Sequence, residues 1–271
     1  MEPFAPGVSP ETTDRHGPEE RSVGTGESAA EKNGQSAPLS VQPVPVLAAL
    51  GPWRRFAGLT AGFSTRLGGV SQAPWHSLNT GLHVGDEAGA VIRNRRSIAE
   101  RLGWPFEAWT SASQVHGNRV YRVTAADRGR GRERPEDAAA EADALITDVP
   151  GILLVMYYAD CVPVYFYDPD HTAVGLAHAG WRGIALDVVG ETVRAMEAAF
   201  GSRPERLYAA IGPSIGPCCY EVDEPVLERL LPLGETLRQF GGPGAEALTV
   251  PSRPGRAGAN LKEFARRLMM K

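Results

Sequence analysis

The chain is poor in cysteine, and the little it has is badly placed for cross-linking. Three cysteines in 271 residues, two of them adjacent (Cys218 and Cys219), build no disulfide framework. The thiols are expected to be reduced, as in a cytoplasmic protein. Long apolar runs are also missing: the longest are strand-sized, which excludes a membrane-spanning helix. The opening stretch, MEPFAPGVSPETTD, has neither the positive segment nor the apolar core of a secretory signal. There is no basic surplus either. The formal net charge is −4, and residues 1–34 account for all of it, with three basic residues against seven acidic ones; the rest of the chain is balanced. A neutral body lacks the electrostatic footprint of a nucleic-acid binder. The arginines of Arg128–Arg134 lie among acids and glycines and read as a solvated loop. No internal repeat is present.

What is present reads as one mixed α/β domain. Residues 1–43 are rich in Glu, Ser, Gly, Pro and Thr and almost free of large apolar side chains, so they read as a disordered acidic tail. The domain is expected over 44–271. VPVLAAL (44–50) reads as the first ordered element, and AGFSTRLGGV predicts a short strand running into a Gly-Gly turn. EAGAVIRNRRSIAERLG predicts a helix with Val91, Ile98 and Leu102 on one face and Gly103 as its stop. RVYRVTAAD alternates like a strand, whereas the charged, Gly- and Ala-rich segment 127–141 predicts an exposed, mobile excursion. GILLVMYY, VPVYFYD, TAVGLAH and RLYAAIG predict further strands. GIALDVVGETVRAMEAAFG predicts a single helix with Ile184, Val188, Val189, Val193, Met196 and Phe200 inward and Gly201 as its end. The chain from Gly234 is weakly patterned until NLKEFARRLMM, which reads as helical.

Three residues stand where chemistry is to be sought. His116 in SQVHGNRV, Cys161 in YYADCVPV and His178 in AHAGWRG each sit at the end of an apolar run, flanked by Gly, Ala or Pro. They come from separate segments, unlike the short spacings of a structural zinc site. Two imidazoles and a thiolate suit zinc, and three protein ligands leave a fourth position open. Spacing alone leaves a second reading for each: a hydrogen-bonded core or loop histidine, and an inert buried thiol.

FSTRLGGVS, SLNTGLHVGD, QVHGNRVYRV, ADALITD, ADCVPV, AHAGWRGI and IGPSIGPCCYEV occur in this order, and together they resemble the laccase-domain (polyphenol oxidase) family, also described as a purine nucleoside phosphorylase family. The resemblance covers residues 50–271. It implies a four-layer α/β/β/α sandwich with mixed sheets. It also implies a metal on His116, Cys161 and His178, and metal-dependent phosphorolysis of adenosine, inosine and methylthioadenosine with adenosine deamination beside it. Zinc is the expected metal, with copper the lesser alternative. A multicopper oxidase commonly uses paired His-x-His ligands; this chain has no such pair and only six histidines, too few for a three-copper cluster. The usual cytidine-deaminase signature is absent too.

The remaining assignments follow from position. Arg66 and Arg182 are candidates for anion contacts, the alternative being loop-bracing arginines. Asp160 is a candidate general acid/base or an orienting partner, the alternative being a turn cap. His83 and Gln114, inside family motifs, are assigned to substrate or phosphate binding. His76 reads as a polar loop residue, Cys218 and Cys219 as free thiols, and Glu221 as a structural carboxylate. Beyond Lys271 the family pattern continues with a strand-forming region carrying Cys-Thr and an Arg-Arg-Asp-Gly-like run. Its Asp-Leu reads Asn260–Leu261 here. The expected partners are purine nucleosides and phosphate, with no nucleic acid and no membrane. Two other functions stay open: a cysteine hydrolase editing peptidoglycan precursors, with Cys161 as nucleophile and His178 as base, and a non-catalytic family member.

Overall fold

The structure, a computed structural model, describes residues 45–241 and 246–271; the tail assigned to 1–43 lies outside them. Five α-helices and twelve strands, with six short 3-10 turns between them, are present among the described residues. In chain order they are β1 (Leu47–Ala49), β2 (Gly62–Ser64), α1 (Ala88–Arg101), β3 (Trp109–Ser111), β4 (Val120–Arg122), β5 (Ala144–Thr147), β6 (Leu153–Val155), β7 (Val162–Asp168), β8 (Ala173–Ala179), α2 (Trp181–Ala185), α3 (Val188–Phe200), β9 (Tyr208–Ile211), β10 (Glu221–Val222), α4 (Glu224–Leu237), β11 (Thr249–Arg253), β12 (Arg256–Ala259) and α5 (Leu261–Met269). None of these helices is long and apolar enough to cross a membrane.

The organising unit is the β7–β8 hairpin. Seven consecutive pairs run from Asp168↔Ala173 at its turn to Val162↔Ala179 at its open end. Around it lies a mixed sheet in the order β4-β5-β8-β7-β9, with β4 and β5 parallel and the other pairs antiparallel. Alternation sends successive side chains to opposite faces. Ile146, Val164, Phe166 and Ala177 face the helices, packing with Ile184, Val188, Met196 and Phe264. Leu145, Tyr165, Tyr167 and Leu176 face the other way, onto Trp53, Val123 and Met156. Behind them α1, through Ile98 and Ala99, packs on Trp109 of β3 with Leu153 and Val155 of β6. The layers therefore run helix, sheet, sheet, helix, the mixed α/β class expected, with the second β layer formed by the pairs β1–β2 and β3–β6.

Two sequence-based expectations are corrected. The helix predicted from Gly183 to Phe200 is broken into α2 and α3 at Asp187, which takes a left-handed conformation (φ 59°) and accepts the Gly190 N–H at its side chain. An aspartate that caps a new helix competes with continuing the old one. Segment 127–141 is no free excursion. Asp127 is buried and closes a capping box with Thr124. Arg95 of α1, itself buried, donates to the Gly131 and Arg132 carbonyls. One helix went unpredicted: α4 carries Pro232 in its interior, which weakens any helical signal. At α5, Asn260 caps the helix by accepting the Glu263 N–H. Asn and Asp cap equally well, so the departure from Asp-Leu preserves this role.

Candidate metal centre

The open end of the β7–β8 hairpin gathers the candidate ligands. His178 lies on β8, opposite Pro163, and Cys161 immediately precedes β7. His116 arrives from the loop before β4 in a left-handed conformation, φ 61°. The donor atoms of the three side chains all lie within 4.8 Å of one another. The two imidazole rings stand edge to face at 4.9 Å between centroids. His171, by contrast, sits in the turn at the other end of the hairpin, bonded to Asp168 at 2.7 Å.

The small residues around AHAGWRG have a steric reason. A Cβ added to Gly180 would lie 2.9 Å from the Cys161 Sγ and 3.4 Å from the His116 ring. Glycine there leaves the space in which thiol and imidazole meet.

Asp143 holds the arrangement together. It is fully buried just before β5. Its carboxylate accepts the N–H groups of Val115, His116 and Gly117 and bonds Nδ1 of His178 at 2.9 Å. Its carbonyl takes the His178 N–H at 2.8 Å. One side chain thus fixes both the loop that presents His116 and the ring of His178. With Nδ1 engaged, His178 has Nε2 free for a ligand bond, the usual second-partner geometry of a metal-binding imidazole. Burial works to raise the Asp143 pKa, but the bonds from His178 and the loop amides outweigh it and hold the carboxyl below its ordinary value. Burial likewise works against a charged His178, yet the bonds to Asp143 and Cys161 win, and its pKa rises to about 9. His116 moves down, through burial first and then through repulsion from His178.

The other assigned residues divide. Arg182 and His83 are both exposed and both contribute to the field that discharges His116. Arg182 rests its guanidinium over the Trp181 ring at 4.7 Å. Asp160, beside Cys161, is exposed and left-handed (φ 82°), and its carbonyl accepts the Ile215 N–H at 3.0 Å. Arg66 donates to the His76 carbonyl at 3.0 Å, the work of a loop brace. Gln114 has both ends of its amide on the Tyr157 backbone, each at 2.8 Å; its position is that of a strut. Glu221 pairs with Arg253 and Ser252 on the surface, and Cys218 and Cys219 are free.

Three residues were not singled out from sequence. Asp143 sits in ADALITD, where an acid at the start of an apolar strand was the available signal. Tyr158 places its ring 5.6 Å from His178 and donates its hydroxyl to the Ala177 carbonyl. Tyr220 feels the charges of Cys161, Asp160 and Arg182. A cavity of about 1170 Å³, lined by aliphatic and aromatic side chains including Phe63, Trp75 and Tyr157, reaches Tyr158, Asp160 and Arg66; His116, Cys161 and His178 are not among its lining residues.

Residues 60–271 match the family model described as multi-copper polyphenol oxidoreductase laccase. The chain belongs to this family. It is 48% identical over 177 residues to a Geobacillus stearothermophilus protein named purine nucleoside phosphorylase YlmD, a match covering 65% of each chain. It is 39% identical over 217 residues to Pseudomonas aeruginosa purine nucleoside phosphorylase PA4543, covering 79% of this chain and 78% of that one. The matched stretch thus spans just under two thirds of the length of the Geobacillus relative. The crystal structure of Geobacillus YlmD superposes with a TM-score of 0.71 at 43% identity, over 79% of this chain and 77% of that one. That of Bacillus licheniformis YfiH gives 0.74 at 39%, over 84% and 80%. The described residues carry one three-donor cluster.

Proposed function

We propose that this member of the family is a zinc-dependent purine nucleoside phosphorylase, with the metal on His116, Cys161 and His178. The observation that carries the reading is the convergence of these donors within 4.8 Å, with Asp143 fixing the His178 ring. The relatives' names as purine nucleoside phosphorylases support the reaction class. The donor set fits the group: two imidazoles and a cysteine sulfur from three separate segments, which would bind zinc as neutral imidazoles and thiolate, form a centre that leaves one position open. A zinc ion there supplies Lewis acidity toward an acceptor atom of the substrate.

The reaction couples phosphate to a nucleoside: a phosphate oxygen bonds to C1′ as the bond from C1′ to the purine nitrogen breaks. The products are the free base and ribose 1-phosphate, or methylthioribose 1-phosphate from methylthioadenosine. Arg182, exposed one turn after His178 in AHAGWRG, is assigned to hold phosphate. Asp160, at the junction of the centre and the cavity, is assigned to move the proton on the departing base. Arg66, which lines the cavity, and His83 are assigned to substrate or phosphate contact. The aromatic lining beyond Asp160 offers faces on which a purine stacks. Deamination of adenosine to inosine is assigned to the same centre as a second activity.

One arrangement favours a second reading. Cys161, His178 and Asp143 form a row in which Nδ1 of the imidazole bonds the carboxylate and the Cys161 thiol lies within 4.8 Å of the ring's donor atom. This is the order of a cysteine nucleophile, its base and an orienting acid.

The deciding experiment incubates adenosine with purified protein, with and without phosphate and with and without a zinc chelator. Phosphate-dependent adenine and ribose 1-phosphate, abolished by the chelator, are expected. Metal-loaded, folded protein that releases neither adenine nor inosine contradicts the proposal. Turnover that survives the chelator and is abolished by alkylation of Cys161 favours the hydrolase reading.

A further inference from the structure

A free thiol usually behaves as a small apolar group and is buried. Cys218 and Cys219 are both exposed. They are also adjacent, and neighbours in sequence normally point apart, to opposite faces of a strand or well round the circumference of a helix. Here the two Sγ atoms lie 3.2 Å apart. A turn brings them together: the Gly216 carbonyl accepts the N–H groups of both Cys219 and Tyr220, each at 3.0 Å. The turn is clamped to the body of the protein. A Cβ on Gly258 of β12 would stand 2.1 Å from the Pro217 carbonyl oxygen, and the Ala259 N–H bonds the Tyr220 carbonyl at 3.0 Å.

The same segment borders the metal centre. Just upstream of the turn the Ile215 N–H bonds the carbonyl of Asp160, the residue before Cys161, at 3.0 Å. Neither Cys218 nor Cys219 has a task in the chemistry proposed above.

We infer that Cys218 and Cys219 are a modification site, closing to a reversible vicinal disulfide by exchange with a low-molecular-weight disulfide. One protein thiolate attacks a sulfur of the small disulfide, forming a mixed disulfide and expelling one small thiolate. The neighbouring thiolate attacks the protein sulfur of that bond; the Cys218–Cys219 bond forms and the second small thiolate leaves. The protein pair is oxidised by two electrons, and the small disulfide is reduced to two thiols. Adjacent Cα atoms are only about 3.8 Å apart, below the roughly 4.4–6.8 Å at which disulfides are relaxed. The closed pair is therefore strained and readily reopened by thiols, as labile and regulatory disulfides are. Closing the ring redirects the peptide between the two residues, and with it the Cys219 and Tyr220 amides that the Gly216 carbonyl holds.

The test treats the metal-loaded full chain with oxidised glutathione, alkylates the remaining thiols and maps the peptides by mass. One peptide containing both cysteines, lighter by two hydrogens and unalkylated, is expected, and dithiothreitol restores it. Amide exchange at residues 219–220 speeds up by about tenfold in the closed form. Cys218→Ser and Cys219→Ser each stop at a glutathione adduct on the remaining cysteine. In the doubly substituted C218S/C219S chain the oxidant leaves that exchange unchanged. A persistent adduct on the wild-type chain, a disulfide between chains, an unreacted pair, or closure without faster exchange overturns the inference. None of these readouts is turnover, so failure of the purine chemistry and failure of this site are separately visible.

Discussion

Asp143 carries more of the centre's geometry than any proposed ligand does, because one buried carboxylate serves three loop amides and one imidazole. Replacing it with Asn keeps its size but removes the charge and one pair of acceptor sites. For Asp143→Asn we expect metal affinity to fall by about 10–100-fold, read by competition with a chromophoric chelator in a chain that still folds. Unchanged affinity would mean that His178 is oriented by something else. Gly180 gives an independent test by steric means. Its missing Cβ is the space shared by Cys161 and His116, so Gly180→Ala is expected to weaken metal binding while leaving the melting temperature within about 4 °C, the shift for roughly 1 kcal/mol in a chain of this size. A large melting loss with intact affinity would show that the glycine serves folding rather than the centre.

At the scale of elements, the helix layer depends on how closely α3 sits on the five-stranded sheet. Met196 is fully buried against that sheet, and its truncation leaves a cavity. Met196→Ala should cost about 2–5 kcal/mol, measured as a lower urea midpoint at unchanged slope. A loss under about 1 kcal/mol would mean the interface repacks. The elements also show what a sequence exposes and what it hides. β7 and β8 were legible end to end, because VPVYFYD and TAVGLAH are dense in β-formers and bounded by turn residues. The break at Asp187 was hidden: Ile184, Val188 and Val189 keep helical spacing across it, and only the backbone shows an aspartate capping a second start. The tethering of 127–141 was hidden for a related reason. Arg95 lies on a helix face that looks polar, yet it is buried and spent on the Gly131 and Arg132 carbonyls.

Across the whole molecule, the ligand candidates were legible while their convergence was not. His116, Cys161 and His178 stood out by their small neighbours, but hairpin register and the loop held by Asp143 bring them together, and both are long-range facts. Gln114 shows a further long-range fact that its motif did not reveal: its amide bonds both the N–H and the carbonyl of Tyr157. Stability also has a pH signature at this scale. Burial opposes the charged forms of Asp127 and Glu263, but bonds from Thr124 and from Arg266 and Arg267 prevail and hold both pKa values below normal. A carboxyl with a lowered folded pKa stabilises above its unfolded value, about 4, and that contribution is lost as pH falls through the folded value. The urea midpoint should therefore drop between pH 7 and pH 3, and drop less in Glu263→Gln. An equal drop in the variant would remove Glu263 from the account.

The central claim is that three separated residues make one metal centre. Elemental analysis of the purified chain beside Cys161→Ser tests it most directly, with circular dichroism to confirm that both are folded. The account predicts one zinc per wild-type chain and a loss of most of it in Cys161→Ser. Folded wild-type protein without bound metal that takes up none from excess zinc, or a Cys161→Ser chain that keeps its metal in full, would contradict it.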